Sequence, residues 1–278
     1  MPVFSQPLRC LLLLLCLLGC GPLAAHADPV LEHGYGQMYN VNFAGAHQTF
    51  DAYIQAHPDD AMGPVSDAAA YLFAELDRLG ILDLRLFADN SRFSHRKRPT
   101  PNPAVQQKFQ ARIDEANRLA AAALSKSPKD VSALLASTLA DGLQSDYAAL
   151  ILKHDLDALR FSNRATALAQ KTLAADPHCY DAYLAVGIEN YLLGIKPAPV
   201  RWVLSWTGAQ TNASAGVHEL KLAAAHGHYL APFARLLLAV ADIRQKNYAG
   251  ARNLLQGLSQ EFPANPLYRR EYQRIANK

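Results

Sequence analysis

The sequence predicts an all-α protein built from stacked pairs of antiparallel helices. Three observations predict it. Ala and Leu dominate the 278 residues and charged residues make up only 18%, a composition that favours packed helices over strands or disorder. Apolar residues recur at helical rather than strand spacing, and no stretch alternates convincingly, although LDLRLFA (82–88) has the makings of one short strand. One segment is also written twice, at 42–58 (NFAGAHQTFDAYIQAHP) and at 247–263 (NYAGARNLLQGLSQEFP). Both copies place an aromatic second, then Ala-Gly-Ala, then large apolar residues, and a proline twelve positions past the second of those alanines.

Residues 1–27 stand apart from this fold. Arg9 is followed by an apolar run from Cys10 to Leu18 and a small-residue stretch ending in Ala25-His26-Ala27. That is the layout of a secretory signal peptide, and the run is too short for a membrane-spanning helix. Two routes of maturation stay open. Cleavage after Ala27 releases a soluble protein starting at Asp28, whereas Leu17-Leu18-Gly19-Cys20 resembles a bacterial lipobox in which Cys20 is lipidated. Either route predicts export to the periplasm or cell envelope and leaves Cys179 as the one protein thiol. No disulfide framework supports such a chain, so packing must hold it together.

From Asp28 onward the elements follow one rule. The spacing of twelve recurs as Ala46 to Pro58, Ala116 to Pro128, Ala165 to Pro177 and Ala251 to Pro263, with a degenerate copy from Ala215 to Gly227. Phe43, Ala46, Phe50, Tyr53 and Ile54 share one helical face, as do Tyr248, Ala251, Leu255 and Leu258. The proline ends each helix because it lacks an N–H and pushes its predecessor out of helical geometry. The small alanine lets a second helix come close. The predicted pairs are 30–40 with 43–57, 62–80 with 103–126, 130–152 with 157–175, 179–194 with 211–225, and 229–245 with 248–261. A capping helix starts near 265, and Asn102-Pro103 and Asn265-Pro266 have the form of N-cap and first-turn pairs. Insertions at about 81–103 and 195–210 lengthen the spacing, and GLQSDYAALILKHDLDALRFS (142–162) reads as lengthened helices.

The stretch YDAYLAVGIENYLLG (180–194) puts Tyr183, Val186, Gly187 and Asn190-Tyr191 at the aromatic, Leu, Gly and Tyr places of the tetratricopeptide pattern. Ala165 and Pro177 match the Ala and Pro of the repeat before it. The chain from about residue 38 therefore resembles a divergent tetratricopeptide-repeat protein. The resemblance implies a right-handed superhelical array forming one domain over 28–278, with first helices lining a concave groove that takes an extended peptide or a partner helix. Carried onto the best-matched repeat, it turns Asp181, Leu184, Ile188 and Tyr191 inward. Some tetratricopeptide domains clamp a peptide carboxylate with Lys and Asn; here Leu184 and Ile188 occupy those places, so the expectation is an apolar or helical ligand, or a groove filled by the protein's own inserted segments.

Chemistry-bearing signatures are missing from the sequence. It contains no H-E-x-x-H, Walker A loop, G-x-S-x-G, C-x-x-C or G-x-G-x-x-G motif. No cofactor, metal or catalytic residue is expected. A net charge of +3, with one basic run at SHRKRP (94–99), gives no basis for nucleic-acid binding. His226 and His228 are the one close histidine pair, separated by a turn glycine, and a hydrolase site there is the enzyme-class alternative. The expected function is noncovalent binding of a protein or peptide, with Tyr183, Tyr191, Trp202, Trp206 and Arg235 as candidate determinants. Trp202 and Trp206 are the only tryptophans, four apart and beside Arg201, and combine a large apolar body with a polar donor. Contact with a membrane is expected only through a lipid on Cys20.

Overall fold

The computed structural model describes residues 27–82, 98–194 and 212–278. Among them lie eleven α-helices and no strand: α1 (Pro29–Tyr39), α2 (Phe43–Ala56), α3 (Met62–Arg78), α4 (Pro103–Lys126), α5 (Val131–Asp146), α6 (Asp155–Ala175), α7 (Tyr183–Gly194), α8 (Ala213–His226), α9 (Ala231–Arg244), α10 (Tyr248–Glu261) and α11 (Pro266–Ile275). Each helix packs against the next in sequence, so neighbouring pairs build the core continuously from α1 to α11. The strand suggested at 82–88 and most of both insertions fall outside the described residues.

The duplicated segment encodes a helix end and a helix start together. After α1, the Val41 and Asn42 N–H groups donate to the Met38 and Gln37 carbonyls. After α9, Lys246 and Asn247 donate to Ile243 and Asp242 in the same pattern. This is a Schellman end, whose C′ residue must be left-handed. Val41 and Lys246 accept that conformation, at φ 54° and 61°. Asn42 and Asn247 then cap the following helices, each Oδ1 accepting from the Gly45 or Gly250 N–H. A third such end follows α3, where Gly80 fills the left-handed place (φ 64°).

The opposite helix ends follow a second rule. In His57-Pro58, Ser127-Pro128, Asp176-Pro177 and Phe262-Pro263, the residue before proline donates to the carbonyl four back, closing the helix. It then accepts from the N–H three residues on, in Asp60, Asp130, Cys179 and Asn265. Proline thus occupies the second position of a tight turn, where its fixed φ suits it. Asn102 and Asn265 cap α4 and α11 as the sequence predicts, each Oδ1 accepting the N–H two residues on.

Ala46, Ala116, Ala165 and Ala251 are all at most 4% exposed. The residues four and seven places on lie below them in the core or against it, as with Phe50 and Tyr53 or Leu255 and Leu258. In α8 the register is one residue later than the sequence suggests. Gly216, Leu220 and Ala223 are buried there, while Ala215 is only partly so. Gly227 therefore stands at the position before the proline, donating to the Ala223 carbonyl, and His228 stands where proline would. The reason lies in Asp181. Its carboxylate accepts the N–H groups of His228, Tyr229 and Leu230 at 3.1, 3.1 and 2.8 Å, and proline has no N–H to give. A Cβ on Gly227 would sit 2.5 Å from the Ala223 carbonyl oxygen and 2.9 Å from Asp181 Oδ1. α7 and α8 cross with backbone against backbone: a Cβ on Gly216 would lie 2.4 Å from the Tyr191 nitrogen and 2.8 Å from the Gly187 oxygen.

The lengthened stretch forms two long helical runs, 131–152 and 155–175, as the sequence predicts, the first of them finishing as a π-helix. Residues Tyr147–Leu152 form a π-helix, Lys153 turns left-handed at φ 55°, and α6 starts at Asp155. A π-turn absorbs extra residues inside a helix without ending it.

Candidate functional site

Of the five residues expected to bind a partner, the described structure places three. Tyr183 is partly exposed, its ring stacked on Tyr180 with centroids 6.1 Å apart. Tyr180 also contacts the rings of His178 and His226, making a contiguous aromatic surface where α6 meets α7. Tyr191 is 7% exposed and its backbone lies against Gly216, so it serves the α7–α8 crossing. Arg235 donates to Glu261 at 2.7 Å, with its Nε buried and without a partner among the described residues. Trp202, Trp206 and Cys20 lie outside the described residues. Of the four residues that the repeat pattern would turn toward a groove, Asp181, Leu184 and Tyr191 are each under 9% exposed and Ile188 is partly buried against the core. Burial pushes the Asp181 carboxyl up from its ordinary range, opposed by its three backbone N–H bonds.

A seam joins α1 and its flanking residues to the turns that precede α9 and α11. The Asp28 N–H donates to the Tyr229 hydroxyl at 2.9 Å, and the Tyr39 hydroxyl donates to the Tyr229 carbonyl at 3.0 Å. The Ala264 N–H donates to Asn40 Oδ1, and Asn265 Nδ2 donates to the Tyr39 carbonyl. Rings fill the space between: Tyr35 against Tyr229 at 5.2 Å, Tyr39 against Phe262 at 5.6 Å, and Phe73 against Phe233 at 5.5 Å. Burial drives the Tyr35, Tyr39 and Tyr229 hydroxyls well above the ordinary tyrosine range, so they stay neutral donors or acceptors.

Charged side chains form separate structural networks. Asp67, 1% exposed, accepts from His47 Nδ1 at 2.5 Å and Arg112 Nε at 2.6 Å, and Arg112 also pairs with Asp51 and Glu115. This joins α2, α3 and α4. Glu75, also 1% exposed, takes two bonds from Arg78 and one from the Asn102 N–H, while Arg78 donates to the Thr100 carbonyl. These bonds tie together the two ends of the 81–103 insertion. Of the basic run, Arg98 is described and contacts His154 at 3.3 Å. The His226–His228 pair does not converge: His226 lies on Tyr180, whereas His228 Nδ1 meets Glu32 at 3.0 Å. Among the described residues no three His, Cys, Asp or Glu side chains gather as metal ligands, and no helix is long and apolar enough to cross a membrane.

Two features escaped the sequence reading. Asp146, partly exposed at the start of the π-turn, has its carboxyl pushed up to about 7 by desolvation. Leu156 and Leu159, one turn apart at the start of α6, are 82% and 54% exposed. They follow directly on the left-handed Lys153 that closes the π-helical turn. A run of polar residues broken by two leucines at i and i+3 with nothing opposite was the available signal. No model of a known family matches the chain, and no curated protein is similar to it in sequence.

Proposed function

We propose that the chain is an exported, tetratricopeptide-like binding module of the bacterial cell envelope, stacked as a right-handed superhelix and working by noncovalent recognition of a protein or peptide. The recurring unit supports the scaffold half of this reading: small residues in register at 46, 116, 165, 216 and 251, with four proline turns between pairs. The observation that carries the binding half is the pair Leu156 and Leu159. Large aliphatic side chains this exposed, side by side on one helix face and flanked by Arg160, have the chemistry of a protein contact with an apolar centre and polar rim. Tyr183 and its aromatic neighbours supply a second contact surface of the kind that anchors interfaces. The test is capture from envelope extract by the tagged chain and by Leu156→Glu/Leu159→Glu, alongside Trp202→Ala/Trp206→Ala. A partner retained by wild type and lost from the leucine variant, at unchanged thermal midpoint, supports the reading. Equal capture by both refutes it.

Leu17-Leu18-Gly19-Cys20 favours a second reading, a lipid-anchored envelope assembly or transport accessory. Release of Cys20→Ser from the membrane fraction would support it, and an unmodified Asp28 start by mass spectrometry would eliminate it.

A further inference from the structure

Among the described residues most helix packing is between elements one or two apart in the chain, whereas the seam joins segments about two hundred residues apart. We propose that this seam is a releasable clasp, holding the first and last helix pairs together over a set of aromatic side chains, and that its opening exposes those side chains without unfolding either end. Three observations carry the proposal. The seam is made by side chains and loop backbone at α1, the 228–230 turn and the 262–265 turn, whereas most other packing among the described helices runs between elements one or two apart in the chain, α1 with α3 and α3 with α5 included. In an array stabilised mainly by each repeat and its neighbours, a contact between distant segments can break while each hairpin keeps its own packing. Finally, what the clasp covers is aromatic: Tyr35, Tyr39, Phe73, Tyr229, Phe233 and Phe262 meet there, and released they would line a surface suited to apolar or helical ligands. The seam's polar bonds are few. Its one ion pair, Glu32 with His228, is nearly half exposed on both sides and adds little.

The experiment measures the distance between spin labels at His33→Cys on α1 and Arg269→Cys on α11, both exposed. Leader cysteines are replaced by serine in every variant, and Cys179 is buried. The clasp is broken by Glu32→Ala/Tyr39→Phe/Asn40→Ala, which deletes the pair with His228, the bond to the Tyr229 carbonyl and the acceptor for Ala264. The expected result is a single short distance in the parent chain and an added longer population in the variant, at unchanged helix content. A distance distribution identical to the parent overturns the proposal. Should the triple variant lose its helices, Asn40→Ala alone decides: it must show the longer population, and parent-like distances overturn the clasp. Because the readout is a distance within one chain, it stands or falls independently of whether Leu156 and Leu159 contact a partner.

Discussion

Replacing Gly216 by alanine separates two opposing effects whose sizes follow from the structure. Alanine in mid-helix is favoured over glycine by about 1 kcal/mol. At Gly216 the added Cβ falls 2.4 Å from the Tyr191 nitrogen and 2.8 Å from both the Tyr191 Cα and the Gly187 oxygen. All three are backbone atoms, so no side chain can swing away, and α7 and α8 must part by roughly an ångström. Overpacking of that kind costs up to about 3 kcal/mol. The net is a destabilisation of roughly 2 kcal/mol, a fall in Tm of roughly 4–8 °C for a chain of this size. Gly142 and Gly257 are the controls. Both lie within helices, and a Cβ at either meets nothing within 4 Å, so alanine should stabilise by roughly 0.5–1 kcal/mol. Urea and thermal denaturation of the three variants read the sign directly. If Gly216→Ala is as stabilising as Gly257→Ala, the close α7–α8 crossing is wrong, and with it the register assigned to α8.

Other perturbations probe separate parts of the structure. Asp146 has a carboxyl raised by desolvation above its unfolded value, so the folded chain binds the proton more tightly than the unfolded one. Its penalty is absent below about pH 4, grows as pH rises and is complete above about pH 7; Asp146→Asn should therefore raise Tm at pH 8 and leave it nearly unchanged at pH 4, measured by thermal melts across pH. Val41 holds a β-branched residue at φ 54°, so Val41→Gly should stabilise by about 1 kcal/mol in urea unfolding despite glycine's entropy. Asp67→Ala removes the buried acceptor shared by His47 and Arg112. Since Arg112 keeps Asp51 and Glu115, the loss should be roughly 2 kcal/mol rather than the larger cost of stranding a buried charge, read from denaturant midpoints.

Local chemistry carried most of the helical layout. Asn102-Pro103 and Asn265-Pro266 state a cap and a first turn within two residues, and the alanine-to-proline spacing fixes both the buried face and the stop. What stayed hidden depends on residues far apart. Nothing around Ala215 says that Gly216 takes the crossing, because the shift is set by Asp181 reaching over from the start of another pair to collect three N–H groups. The seam is similarly illegible: Tyr39 and Phe262 each look like ordinary core residues of their own hairpins. Glycine was not a reliable guide to left-handed turns either, since valine and lysine fill two of the three Schellman ends. The candidate site was read only in part. Tyr183 is partly exposed, Tyr191 is consumed by packing, and the exposed Leu156 and Leu159 start a helix just past the left-handed Lys153.

The stacking itself can be tested by thiol labelling of single cysteines at Ala46, Ala116, Ala165 and Ala251, each compared with an exposed alanine on the same helix: Ala44, Ala111, Ala167 and Ala249. Buried positions should react at least about a hundredfold more slowly, the protection given by a local opening free energy of about 3 kcal/mol. Equal rates within the four pairs would mean that these alanines face water and that no helix packs on them.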